Sequence, residues 1–256
     1  MLSIGSPEEA FLGCFQLHFE VEWSKLCLGE QMANTARTLP SDARWKRALE
    51  LPQRGHGESA DSLQIPALKG LFVHGLARGI LVEASGFQSS GKTSICMHIL
   101  AQATRIGEVC AIVDLNNSFH PHSAAASGVQ LDRLLWIRCN RNAEYTMRAT
   151  DLLLHAGGFG VVLLDLSEAN ARALNRIPLS YWYRFQRAIQ HTPTILLICA
   201  DSPQAKAAIN SLDCKAKAFC WLGEQPFTRL CGITVNARQR KLAAIRTEPL
   251  QLLAGV

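Results

Sequence analysis

The sequence predicts an α/β protein: a largely parallel sheet covered by helices on both faces, with antiparallel strands at its C-terminal edge. Three observations carry this. From residue 65 onward, strand-like and helix-like patterns alternate. The strand-like runs are apolar without polar alternation, as expected of strands buried on both faces. Between one such run, residues 79–84, and a helical pattern over 93–106 lies Gly86-Phe87-Gln88-Ser89-Ser90-Gly91-Lys92-Thr93, the phosphate-binding P-loop spacing.

In that loop, glycines let successive backbone N–H groups curl toward an anion. Lys92 brings a point charge to the outer phosphates, the Thr93 hydroxyl is a ligand for Mg²⁺, and the following helix adds its N-terminal dipole. The predicted nucleotide-binding set is Gly86, Ser89, Ser90, Gly91, Lys92, Thr93 and Ser94.

Further strands are expected at 109–114, 134–138, 161–166, 194–200, 218–222 and 230–236, and helices at 144–156 and 180–190. The last two strands have no long helix between them, which predicts an antiparallel pair. The run Val161-Val162-Leu163-Leu164-Asp165 is an apolar strand ending in a carboxylate, the Walker B arrangement. It is expected beside the P-loop strand, with Asp165 supporting Mg²⁺.

Composition bounds the rest. The 256 residues are 48% hydrophobic and 18% charged, a core-forming balance. No apolar stretch is long enough to cross a membrane, and the N-terminus, with Glu8 and Glu9, is not a secretory signal. Nine cysteines show no C-x-x-C pair and no metal-ligand spacing, which predicts reduced, mostly buried thiols and a cytoplasmic protein. A net charge of +5 permits contact with nucleic acid without establishing it.

Residues 1–64 read as an N-terminal extension and 65–256 as the core. Residues 1–31 lack a convincing period and are read as a candidate overlong start, with Met32 as the initiator. Residues 41–51 read as a short basic-faced helix and 53–62 as a Gly/Ser-rich linker.

The order of these motifs resembles the RecA-like P-loop ATPase family. Gly79-Ile80-Leu81-Val82-Glu83 followed by Ser89-Ser90-Gly91-Lys92-Thr93 is similar to the bacterial RecA nucleotide strand and loop. Ala111-Ile112-Val113-Asp114 resembles its next strand, and Gly128-Val129 with Leu134-Leu135 the segment that follows. The resemblance implies a RecA-like core binding ATP and Mg²⁺. The departures are as informative. RecA proteins place a catalytic Glu two residues after the Asp that ends the second strand; Asn116 stands there, and an amide cannot act as a base. His120 and Ser123 replace the adenine-holding Asp and Tyr. Asp201 falls near the γ-phosphate-sensing Gln, where a carboxylate repels phosphate. The two DNA-loop positions, residues 166–177 and 202–212, are short, and the protein is expected to lack the RecA C-terminal domain. Arg238, Arg240 and Lys241 form a basic knot after the last strand, at the place of trans or DNA contacts.

A RecA-like core with a lost catalytic Glu and reduced loops most resembles the ImuA type of accessory protein. That resemblance implies a role in the DNA damage (SOS) response and translesion synthesis beside an ImuB-like Y-family polymerase homologue, at most weak ATPase activity, and contacts with RecA, with single-stranded DNA or with further copies of the chain. The alternative is a diverged ATP-dependent recombinase or mediator, with Glu83 or Glu168 replacing the missing base. A RecA-fold regulator related to cell-division inhibitors is a third reading. His120-Pro121-His122 is read as a surface pair rather than a metal site. The aromatic run Tyr181-Trp182-Tyr183 is read as core or interface packing rather than a base-stacking platform, and the tail 250–256 as an interface or an edge segment.

Overall fold

The computed structural model describes residues 62–205, 208, 210–224, 228–239 and 245–251. The expectations for residues 1–31, Met32 and 41–51, and most of the linker, lie outside these residues. At the linker's end Ser62 is already ordered: β1 (Ser62–Leu63) pairs antiparallel with β2 (Leu76–Ala77).

Eight further strands form one sheet: β3 (Leu81–Ser85), β4 (Cys110–Asp114), β5 (Leu134–Arg138), β6 (Val161–Leu166), β7 (Ile195–Ala200), β8 (Asn210–Leu222), β9 (Arg229–Gln239) and β10 (Ile245–Gln251). Their order is β10-β9-β8-β3-β7-β6-β4-β5. The run from β8 to β5 is parallel throughout; β9 pairs antiparallel with β8, as the sequence predicts, and β10 adds antiparallel to β9.

Side chains alternate across each strand, so the central runs supply two cores at once. Toward one face, Val82, Ala84, Ile112, Leu163 and Leu197 pack against Ile95, Ile99, Leu100 and Ala103 of α1 (Lys92–Arg105). Toward the other, Leu81, Val113, Val162, Leu164, Leu196 and Ile198 gather with residues of α3 (Ala143–Ala156) and α5 (Leu179–Ile189). This double burial is why the strands read as unbroken apolar runs. The short α2 (Pro121–Ala126) and α4 (Ala171–Leu174) were not expected from periodicity; four to six residues carry too little of it.

On α5, Trp182, Phe185 and Ile189 are buried with ring contacts between Phe185 and both Tyr181 and Trp182, so this aromatic run is core packing. Tyr183 points outward, and Arg184 pairs with Asp151 of α3.

β8 is much longer than the predicted 218–222 and absorbs the end of the second loop region. Leu212 and Cys214 turn inward while Lys215 and Lys217 are exposed, a half-buried strand pattern. β10, missed in the sequence, is the edge strand beyond β9. It carries Pro249, a residue sheets admit at their edges. The basic segment is therefore not placed after the last strand: Arg238 lies within β9, exposed and in register with Ile245 of β10, because the chain turns back there instead of ending the sheet. Arg240 and Lys241 lie outside the described residues.

Candidate nucleotide site

β3 ends at Ser85, the loop occupies residues 86–91, and α1 begins at Lys92. Gly91 is the helix N-cap and sits at φ +86°, a left-handed conformation that disfavours side chains. A Cβ on Gly91 would also strike Val235 of β9, and one on Gly86 would lie 2.5 Å from the Cys214 carbonyl oxygen. With glycine as cap, no side chain claims the leading N–H groups of α1, which a helix leaves without internal partners. Ser90 Oγ is buried without a hydrogen-bond partner among the described residues. An orphaned hydroxyl, open N–H groups and a lysine form a donor set that fits a phosphate.

The Lys92 side chain is almost fully buried, and its Nζ lies 3.0 Å from Asp201 Oδ1 at the end of β7. Asp201 Oδ2 accepts from Glu168 N at 2.9 Å, and Glu168 Oε1 accepts from Gln88 Nε2 at 3.1 Å. The chain thus closes a ring from the loop through Lys92, Asp201 and Glu168 back to Gln88. In this arrangement the lysine's counter-charge is a carboxylate of the protein, where the sequence suggested only a repulsive neighbour.

Asp165 is not beside the P-loop strand. The helix α5 crossover returns the chain so that β7 inserts between β3 and β6, which sets Asp165 two strands, about 10 Å, from β3. It lies level with Cys199 on β7 and Asp114 on β4. Its Oδ1 accepts from Ser167 N at 2.9 Å. Burial raises its carboxyl above the ordinary value; the Ser167 hydrogen bonds oppose this, and Lys92 also draws it down.

Asn116 is half-buried and donates Nδ2 to the Ser167 carbonyl at 2.6 Å. Its amide ties the loop after β4 to the loop after β6. Asp114 is wholly buried and accepts from Ser118 N, Phe119 N and Trp136 Nε1, so it shapes the turn after β4. His120 is the N-cap of α2, its ring nitrogen accepting from Ser123 N at 3.2 Å; the pair once set against an adenine grip serves this cap. His120 and His122 are exposed, as expected of surface residues, and no group of three metal-ligating side chains occurs among the described residues.

Glu83, considered as a replacement base, is wholly buried and consumed by structure. Its Oε1 accepts from Gln204 N at 2.5 Å and Ala205 N at 3.0 Å, and its Oε2 from Ser211 Oγ at 3.1 Å. It fastens the segment after β7 to the central sheet. Glu83→Ala is expected to leave these donors unsatisfied and cost about 2–4 kcal/mol, read as a lower urea midpoint.

Sequence reasoning missed the wall opposite the loop. Ser89–Ser94 side chains and backbone line a cavity of about 200 Å³ whose other side is Phe219 of β8 with Leu230 and Ile233 of β9. Thr93 is exposed there. The two strands were expected over 218–222 and 230–236 as an antiparallel pair, but their position over the loop was not.

Residues 56–173 match the RecA N-terminal domain. Protein RecA of Laribacter hongkongensis is 38% identical over 95 residues, covering 37% of this chain and 27% of that protein. Protein RecA of Rhodospirillum rubrum is 35% identical over 120 residues, 46% of this chain and 32% of that protein. The chain carries a RecA-like core. Its fold also superposes on the crystal structure of the RadB recombinase with a TM-score of 0.52 at 15% identity, covering 72% of this chain and 92% of that one. The RecA-like core aligns with about a third or less of the length of these RecA proteins. No helix among the described residues is long and apolar enough to cross a membrane.

Proposed function

We propose that this RecA-like protein is a nucleotide-binding accessory factor of the DNA damage response, acting in translesion synthesis through contact with an ImuB-like Y-family polymerase homologue and turning ATP over weakly at most. The observation that carries the reading is Asn116: the catalytic position holds an amide, and that amide is bound to the Ser167 carbonyl. Glu83 offers no substitute, because all its hydrogen bonds are structural.

Gly86, Ser89, Ser90, Gly91, Lys92, Thr93 and Ser94 would hold the phosphates, and Thr93 with Asp165 would hold Mg²⁺, which supplies charge neutralisation when bound. The protein's own contribution is positional. Lys92 exchanges Asp201 for phosphate, and Asp201, which also accepts from Glu168 N, then re-pairs and shifts the segment after β6 that it holds. Nucleotide binding is thereby converted into a rearrangement of two loops that a partner can read. Arg238 is a candidate contact for a neighbouring copy or for single-stranded DNA, and further copies or RecA itself are candidate partners.

Mixing the purified chain with an ImuB-like homologue from the same genome is expected to give a stable complex in sedimentation, weakened by Lys92→Ala. Two independent sedimenting species would reject the partner assignment. One observation favours the recombinase reading: Glu168 stands against the loop through Gln88. Under it, single-stranded DNA stimulates turnover and Glu168→Gln abolishes it.

A further inference from the structure

β8 and β9 are not regularly paired near the cavity. Cys220 is in register with Gly232, and the next pair is Trp221 with Leu230, so Cys231 is an extra residue bulged out of β9. A bulge sets two residues of one strand against one of its neighbour and re-aims the side chain. Here the residue facing Cys220 directly is a glycine, with no side chain of its own, and the bulged Cys231 fills that room. Its Sγ lies 3.1 Å from Cys220 Sγ and 3.2 Å from the Cys220 carbonyl oxygen. The bulge sets Cys231 and Gly232 together against Cys220, and the 3.1 Å between the sulfurs is about 1 Å longer than the roughly 2.05 Å of a disulfide. The remaining gap is within the reach of side-chain rotation.

The other described cysteines differ. Cys96, Cys110, Cys139, Cys199 and Cys214 are buried. Burial pushes the Cys110 and Cys214 thiols up to about 12, and Cys96 is held well above its ordinary value by its hydrogen bond with Cys199 and by burial. Such groups stay protonated and unreactive. Cys220 is exposed and Cys231 half-buried, the accessible pair with a resolving neighbour that thiol oxidation requires.

We propose that Cys220 and Cys231 are a redox site that closes to an intramolecular disulfide on contact with a peroxide. The Cys220 thiolate attacks a peroxide oxygen, the O–O bond breaks, and Cys220 becomes a sulfenic acid as one water leaves. The Cys231 thiolate then attacks the Cys220 sulfur and displaces hydroxide, which leaves as a second water. Two thiols are oxidised and one hydrogen peroxide is reduced to two waters. The bond pins the strands next to Phe219 and Leu230, two walls of the P-loop cavity. The proposal does not depend on a nucleotide being bound.

The test is peptide mapping of the full chain after brief treatment with hydrogen peroxide, thiol blocking and digestion with trypsin under non-reducing conditions. Cleavage after Arg229 separates the two cysteines. The expected result is a linked pair of peptides, one carrying Cys220 and the other Cys231, lighter than their sum by two hydrogens and resolved by a reducing thiol. Cys220→Ser and Cys231→Ser should each abolish it. Recovery of both peptides as blocked thiols, or linkage of Cys220 to another chain, overturns the proposal. The wild-type map stands without the variants, so a misfolded variant does not blur it.

Discussion

Asp201→Asn is expected to raise the affinity for ATP about tenfold, the equivalent of roughly 1.4 kcal/mol. Asp201 holds Lys92 at 3.0 Å and occupies the charge a phosphate would use. Two unit charges about 4 Å apart at an effective dielectric constant near 20 interact by roughly 4 kcal/mol. The Asp201 side chain is 40% exposed, so solvent screening leaves about a third of that. Asparagine retains the size and the ability to accept from Glu168 N while losing the charge. Titration calorimetry with ATP reads the change, and an unchanged or lower affinity would show that Asp201 does not compete with phosphate.

The second large effect lies in the core. Phe185→Ala on α5 is expected to cost about 3–5 kcal/mol, a large part of the 5–15 kcal/mol that typically holds a domain together. Phe185 is fully buried between Tyr181 and Trp182 and faces β7 and β6 across the second core. Thermal unfolding should shift down sharply. Tyr183→Ala, two residues earlier on the opposite, exposed side of the helix, should change it little. Equal effects from the two would contradict the assignment of this helix's faces.

The parallel half of the fold was legible because each central strand is buried twice and shows it as an uninterrupted apolar run. Other features depend on pairings that sequence spacing does not encode. β8 alternates in burial from Leu212 to Lys217, yet the sequence reading took only 218–222 as strand and 202–212 as a loop position. The seat of β7 between β3 and β6 is a crossover decision, and it displaced Asp165 from the expected neighbour position. The turn of the loop was legible, since Gly91 takes a left-handed conformation and a Cβ on Gly86 or Gly91 would strike its neighbours. The functions of Glu83, Asn116 and Asp201 were not: each is set by a partner far along the chain, at Gln204, Ser167 and Lys92 respectively. Residue type alone marked these three as unusual; only their hydrogen bonds assign them to fastening, bridging and counter-charge.

The central claim is that the loop grips nucleotide while the catalytic base is absent. ATP binding and ATP hydrolysis measured on the same preparation, with and without single-stranded DNA, test it most directly. The account predicts binding that Lys92→Ala removes, with turnover that stays near background and does not rise with DNA. DNA-stimulated hydrolysis abolished by Lys92→Ala would contradict it.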